Sequence, residues 1–114
     1  MVRKYTPDIG DIIWINCDPS AGNEHKGHRP AVVISPIGYN KLTNLCICCP
    51  MTTKIKGYPF EVVVDNNGVI LTDQVKSLDW VVRKAKFKSK ISVETLHEIK
   101  HKLGVLLQIG TTVQ

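Results

Sequence analysis

The chain has 114 residues, of which 43% are hydrophobic and 22% are charged, and its formal net charge is +5. This length predicts a single domain over residues 1–114, and the composition excludes a fibrous or largely disordered chain. The N-terminus has no apolar segment typical of a secretory signal, and no apolar run approaches the length of a membrane span. We therefore expect a cytoplasmic protein without membrane contact, whose basic charge fits either a polyanionic partner or simple solubility.

Short strands separated by turns dominate the expected structure. Alternating apolar residues predict a strand over residues 11–17, and β-branched residues predict another over 31–35, with Pro30 at its boundary. A short helix over residues 36–42 begins at Pro36, because proline is favoured at the first helical position. The remaining strands are predicted over residues 45–51, 60–64, 69–71 and 78–87, with an Asn-Gly hairpin turn at residues 65–68.

The last predicted element is a C-terminal helix. Ser92 is its candidate N-cap, and Gly110 is its expected stop. The helix is predicted to carry an apolar stripe of Val93, Leu96, Leu103 and Leu107, flanked by Ile99 and Leu106. Together the elements predict a mainly β fold of the α+β type: a small, strongly curved antiparallel sheet or barrel with a short helix after the second strand and a helix at the C-terminus.

Within that helix, residues 97–101 match the zinc-protease pattern H-E-x-x-H. A catalytic zinc needs a third protein ligand, and no His, Asp, Glu or Cys follows His101. We interpret His97 and His101 as part of an exposed helix face, and we predict no metal site.

The cysteines at positions 17, 46, 48 and 49 have a spacing that suits neither a disulfide framework nor a zinc knuckle. Cys48 and Cys49 are adjacent in a predicted strand, so their side chains point to opposite faces. We expect free, buried cysteines that pack as small apolar residues.

The loop before the second strand concentrates Glu24, His25, Lys26, His28 and Arg29 within six positions. Such a cluster is typical of a solvated hairpin loop, but it also suits catalysis or phosphate binding. Arg29 favours the second interpretation, because it lies beside the stiff Pro30 and could present a fixed guanidinium to a phosphate.

The pattern Gly22-x-Glu24-x-x-Gly27-x-Arg29-Pro30-x-Val32-Val33-x-Ser35-Pro36 resembles the signature of the MazF/PemK toxin family. Residues 7–14, 50–53, 56–62 and 73–80 agree with the same family in the same order. The resemblance extends from about Tyr5 to the final helix and is particularly close to the enterobacterial MazF branch.

The resemblance implies an SH3-like barrel that acts as a homodimer. It implies an endoribonuclease without metal or other cofactor, which cuts single-stranded mRNA at short motifs and blocks translation; an ACA-like triplet is the motif that the resemblance suggests. The expected products carry a 2′,3′-cyclic phosphate and a 5′-hydroxyl. A cognate antitoxin of the MazE kind, with an acidic disordered tail, is the expected inhibitor, and a heterohexamer of the two proteins is the expected complex.

The family's catalytic positions fall on Arg29 and Thr52, with Glu24 as the candidate that orients Arg29 or accepts a proton. The residues expected to bind RNA are Asp18, Asn23, His28, Thr53, Lys56, Gln74 and Lys76. Each has a plainer alternative: Thr52 could be a turn residue, Glu24 a solvated loop carboxylate, and the lysines ordinary surface charges. Which residue is the general acid and which the general base stays open.

The same fold also occurs in gyrase poisons of the CcdB kind and in non-catalytic binding modules, so fold alone does not decide function. The gyrase poisons depend on a tryptophan in their C-terminal tail, whereas the last tryptophan of this chain is Trp80. The sequence therefore favours the ribonuclease.

Overall fold

The computed structural model describes residues 4–16, 28–64 and 68–110. These residues form seven strands and two helices, together with a 3-10 turn at Thr72–Gln74. The strands are β1 (Asp11–Asn16), β2 (His28–Val33), β3 (Leu45–Thr52), β4 (Glu61–Val63), β5 (Val69–Leu71), β6 (Lys76–Asp79) and β7 (Lys86–Lys90). The helices are α1 (Ile37–Thr43) and α2 (Val93–Leu107).

The centre of the sheet is β3. It pairs with β2 along one edge, while its other edge is shared by β6 near residues 45–48 and by β5 near residues 51–52. The main path runs in the order β4-β5-β3-β2-β1-β7, and every pairing is antiparallel. A bulge between Ile12 and Ile13 bends β1 where it meets β7. The small, curved antiparallel fold with two helices confirms the predicted fold class.

The curved sheet has an apolar cluster on each face. One cluster contains Cys49 and Met51 of β3 and is covered by Ile99 and Leu103 of α2. The other contains Cys46 and Cys48, with Tyr5 and Trp80 packed against it. Because Cys48 and Cys49 point to opposite faces, β3 contributes to both clusters and fixes their relative position.

The cysteine prediction is confirmed for the three cysteines that the structure describes. Cys46, Cys48 and Cys49 are free and fully buried. Burial raises the pKa of Cys49 to about 12, which keeps its thiol protonated and unreactive near neutral pH. Cys17 lies outside the described residues.

The predicted strand over residues 78–87 is wrong, because a tight turn at residues 80–84 separates β6 from β7. The Asp79 carboxylate accepts hydrogen bonds from the N–H groups of Val81 and Val82. Lys84 adopts a φ of 53°, and the Ala85 N–H donates to the Trp80 carbonyl. An Asx turn therefore replaces strand pairing in a segment that contains no glycine or proline.

The C-terminal helix begins as predicted, since the Ser92 hydroxyl oxygen accepts a hydrogen bond from the Thr95 N–H. The predicted apolar stripe is confirmed only in part: Leu103 is buried and Leu96 is half-buried, but Val93 and Leu107 are exposed. Ile99, predicted only to flank the stripe, is fully buried. Only the middle of α2 lies over the sheet, so its apolar ends receive no cover from the described residues. The helix also ends earlier than expected, at Leu107, because Gln108 takes the left-handed conformation as its C-cap, two residues before Gly110.

Neither helix in the described part of the chain has the length and apolar character that a membrane span requires.

Candidate functional site

Arg29 lies within β2, one residue after the strand begins. Its backbone pairs with Ile15 of β1, and the neighbouring His28 pairs with Asn16. The predicted boundary at Pro30 is therefore wrong, because the strand starts two residues before that proline. Pairing between β2 and β3 extends only to Ala31 opposite Pro50. At Pro30 the side of β2 that faces β3 is therefore an unpaired edge, where the missing N–H of a proline is tolerated.

Thr52 is the last residue of β3 and pairs with Val69 of β5. Its hydroxyl oxygen accepts a hydrogen bond from the Lys54 N–H at 3.2 Å. Because a hydroxyl can accept and donate at once, the proton of Thr52 can still be given to a ligand. Gly68 fixes the backbone here: a Cβ at that position would lie 2.2 Å from the Thr52 carbonyl oxygen.

Arg29 and Thr52 line two adjoining concave surfaces. The larger one, which we call the main groove, has a volume of about 530 Å³. The smaller one, the side groove, has a volume of about 340 Å³. Both surfaces share Arg29, Met51, Thr52 and Lys54. Arg29 and Thr52 thus lie where the two grooves adjoin, and we call this boundary the wall between them.

The lining of the main groove contains both apolar and basic side chains. Its apolar lining includes Tyr58, Phe60 and Leu71, and its cations are Arg29, Lys54, Lys56 and Lys76. The Lys56 ammonium lies 5.8 Å from the centre of the Tyr58 ring, on the face of that ring. Within the described residues, no hydrogen bond or ion pair engages the Arg29 guanidinium. Cations beside aromatic surfaces are typical of sites that bind single-stranded nucleic acid.

The structure places seven of the ten predicted site residues at these grooves. Lys56, Gln74 and Lys76 line the main groove, His28 and Thr53 line the side groove, and Arg29 and Thr52 line both. Glu24, Asp18 and Asn23 lie outside the described residues. Their predicted roles stay predictions.

Four residues of the main groove with charged or hydroxyl-bearing side chains are not among the predicted site residues: Lys54, Tyr58, Glu61 and Asp73. All except Lys54 lie in stretches that match the family pattern, so the signal for them was present in the sequence. The pattern does not reveal that β3 pairs with β5. This pairing brings residue 73 across from the loop that holds residues 54–58.

The zinc-protease pattern lies elsewhere. His97, Glu98 and His101 are exposed on α2, and none of them lines either groove. Across residues 4–16, 28–64 and 68–110, no three His, Cys, Asp or Glu side chains lie close enough together to hold a metal ion.

Comparison with known proteins places these features in context. Residues 8–107 match the family of PemK-like, MazF-like toxins of type II toxin–antitoxin systems. The endoribonuclease toxin MazF of Escherichia coli K12 is 52% identical over 110 residues, which cover 94% of this chain and 99% of that protein. A crystal structure of MazE–MazF from Deinococcus radiodurans (Form-III) has a TM-score of 0.85 at 43% identity, covering 93% of this chain and 100% of that one.

Proposed function

Since the chain belongs to the family of PemK-like and MazF-like toxins, it is an endoribonuclease toxin, and we propose that it cuts single-stranded RNA at the wall between the main and side grooves. The observation that carries this proposal is the position of Arg29 and Thr52. One lies at the start of β2 and the other at the end of β3, yet both line both grooves. A scissile phosphate at this wall would have one neighbouring nucleotide in each groove.

The proposed reaction is attack of a ribose 2′-hydroxyl on the adjacent phosphorus. A bond forms between O2′ and phosphorus while the bond from phosphorus to O5′ breaks. One proton leaves O2′ and one is delivered to O5′, so the products are a 2′,3′-cyclic phosphate and a 5′-hydroxyl. The steps need a proton acceptor, a proton donor and stabilisation of the phosphorane's charge, all of which side chains can supply.

Each residue then has a part that suits its chemistry. The Arg29 guanidinium holds two phosphoryl oxygens in its planar fork, and the Thr52 hydroxyl donates to one of them. Glu24 and His28 are the candidates for proton transfer, with His28 half-buried at the side groove. Lys56, Gln74 and Lys76 contact the nucleotide in the main groove, and Thr53 contacts the nucleotide in the side groove.

A cognate antitoxin is the partner of this toxin, as in the MazE–MazF structures of Deinococcus radiodurans. We propose that an acidic segment of the antitoxin occupies the basic main groove and so excludes RNA. The homodimer, its heterohexamer with antitoxin, the ACA-like cleavage motif and the cytoplasmic location stay predictions.

Incubation of the purified protein with a long unstructured RNA in EDTA tests the proposal. We expect fragments that end in 2′,3′-cyclic phosphate and 5′-hydroxyl, and mapping the ends gives the cleavage motif. Intact RNA, or fragments with 5′-phosphates, would contradict it. Intact RNA together with trapped DNA–gyrase complexes in a parallel assay would instead identify a gyrase poison.

A further inference from the structure

The segment between β3 and β4, residues 53–60, forms one wall of the main groove without helical or strand structure. Residues 53–59 are all exposed, although Lys54, Lys56 and Tyr58 line the groove. An exposed segment without regular hydrogen bonds needs other contacts to keep one conformation. We call this segment the groove loop and ask what holds it.

Glu61, the first residue of β4, supplies the main contact. Its side chain is buried, and both carboxylate oxygens accept from the Lys56 N–H at 3.2 Å. One of them also accepts from the Gly57 N–H at 2.9 Å. Gly57 has a φ of 80°, and in this conformation its N–H points to the same carboxylate as the N–H of Lys56. Hydrogen bonds from backbone N–H groups to a buried carboxylate are stronger than those between neutral groups.

The other end of the groove loop is held independently. The Lys102 ammonium on α2 donates a hydrogen bond to the Pro59 carbonyl, and the Glu61 N–H donates to the Tyr58 carbonyl. These contacts fix residues 58 and 59 but do not reach residue 56. The position of Lys56 in the groove therefore depends on Glu61.

We propose that Glu61 is a positioning residue for RNA binding, and that its carboxylate acts by holding the backbone of Lys56 so that the ammonium points into the main groove. This inference rests on the proposed function and deepens it. Lys56 is the group that touches RNA, whereas Glu61 acts through it. The face of the Tyr58 ring is a second contact, because the Lys56 ammonium lies 5.8 Å from its centre.

A purely electrostatic role for Glu61 predicts the opposite behaviour. Glu61 places a negative charge in a groove that receives a polyanion, so its neutralisation should strengthen RNA binding if charge alone mattered. A positioning role predicts weaker binding, because Lys56 loses its place. The two accounts therefore differ in sign.

Steady-state cleavage by the Glu61→Gln variant gives the first test. One amide oxygen can replace only part of the carboxylate's hydrogen bonding, so we expect KM for RNA to rise about tenfold while kcat stays unchanged. Glu94→Gln is the matched control, since it removes the same charge from an exposed site on α2. A KM for Glu61→Gln that is equal to or lower than the KM of Glu94→Gln would overturn the proposal.

A double-mutant cycle and hydrogen exchange give the second test. If Glu61 acts through Lys56, the Lys56→Ala, Glu61→Gln double variant should have the KM of Lys56→Ala alone. Additive effects would contradict this.

Without RNA, the amides of Lys56 and Gly57 should exchange about tenfold faster in Glu61→Gln than in the parent protein. Unchanged exchange would refute the positioning role, whereas a parent protein that cuts no RNA would refute the proposed function instead.

Discussion

Two concave surfaces of this molecule are similar in size and in charge. The main groove has a volume of about 530 Å³ and contains three lysines beside Arg29. A second pocket, of about 610 Å³, lies beside Trp80 and contains Lys4, Lys41 and Lys84. We call it the Trp80 pocket. Size and basic charge would rank the two surfaces as equal candidates for a polyanion.

The two surfaces differ in whether their polar groups already have hydrogen-bond partners. In the Trp80 pocket the aromatic side chains are already engaged: the Tyr5 hydroxyl donates to the Asp11 carboxylate at 2.6 Å, and the Trp80 indole N–H donates to the Asn40 carbonyl at 2.9 Å. In the main groove a guanidinium and a hydroxyl remain able to donate to a ligand. The comparison teaches that the main groove is distinguished by a guanidinium and a hydroxyl on adjacent strands that are both available to a ligand, and that volume and lysine content are weaker guides.

Removal of Arg29 should have the largest effect on activity. Loss of a positioned donor to the transition state lowers kcat by about 10³-fold, so we expect Arg29→Ala to be nearly inactive. Its thermal unfolding should match the parent, because the side chain is exposed. Lys41→Ala in the Trp80 pocket is the control and should cut RNA at the parent rate. Near-parent cleavage by Arg29→Ala would mean that the main groove is not the site.

Gly68→Ala should disturb the same groove through the backbone. A Cβ here meets the Thr52 carbonyl at 2.2 Å, and the residue has a φ of 106°, so we expect a loss of stability of about 3 kcal/mol in urea unfolding. Cleavage should fall as well, since Thr52 must move.

Gly110→Ala provides the control for this substitution. Gly110 has a φ of 75° but no atom within 4 Å of the added Cβ, so only the conformational cost applies. Equal destabilisation by the two substitutions would show that the contact with Thr52 is unimportant.

The same contrast explains what sequence could and could not predict. The extent of β1 and β3 and the start of α2 follow from local patterns, because apolar alternation and a serine cap act over a few residues. The antiparallel pairing of β4 with β5 agrees with the predicted hairpin, but residues 65–67 of its Asn-Gly turn lie outside the described residues. The turn at residues 80–84 was missed because Asp79, Trp80 and Lys84 form it through contacts that include the α1 backbone.

The candidate site divides in a similar way. Arg29 and Thr52 were identified from a family pattern, and their common wall results from β2 and β3 lying side by side. The role of Glu61 could not be derived from the pattern, since its contacts depend on how the groove loop folds back over β4. The apolar stripe of α2 was misjudged because helical periodicity does not reveal which turns lie over the sheet.

Asp11 accepts a hydrogen bond from Tyr5, which lines the Trp80 pocket. At this pocket we expect substitutions to affect stability alone. Burial favours the protonated form, but hydrogen bonds from the Lys90 ammonium, the Tyr5 hydroxyl and the Asp8 N–H outweigh it and lower the pKa of Asp11. Asp11→Asn should therefore lose about 2 kcal/mol of stability and keep its cleavage activity.

The pH dependence of that difference follows from the sign of the shift. The folded-state pKa of Asp11 lies below the unfolded value of about 3.9, so its stabilising effect is complete above that pH. The effect is lost as the pH falls through the folded-state pKa. Urea unfolding of both proteins from pH 7 downward should show the gap between them closing in acid, and a gap that widens would contradict the assignment.

The smallest expected effect concerns salt. Each lysine that contacts a phosphate of a single strand contributes about 0.7 to the slope of log affinity against log salt. Lys76→Ala in the main groove should lower the slope by this amount, whereas Lys84→Ala in the Trp80 pocket should leave it unchanged. Binding to an uncleavable RNA over a range of salt concentrations measures both slopes, and the reverse result would exchange the roles of the two surfaces.

The central claim is that RNA occupies the main and side grooves and spans Arg29 and Thr52. Titration of isotope-labelled protein with an RNA that carries deoxyribose at the cleavage position tests it residue by residue, since that RNA lacks the attacking hydroxyl. We predict that the amide signals of Arg29, Thr52, Lys56 and Lys76 shift while those of Tyr5, Trp80 and Lys84 stay in place. Shifts that cluster around the Trp80 pocket, with the groove signals unmoved, would contradict the account.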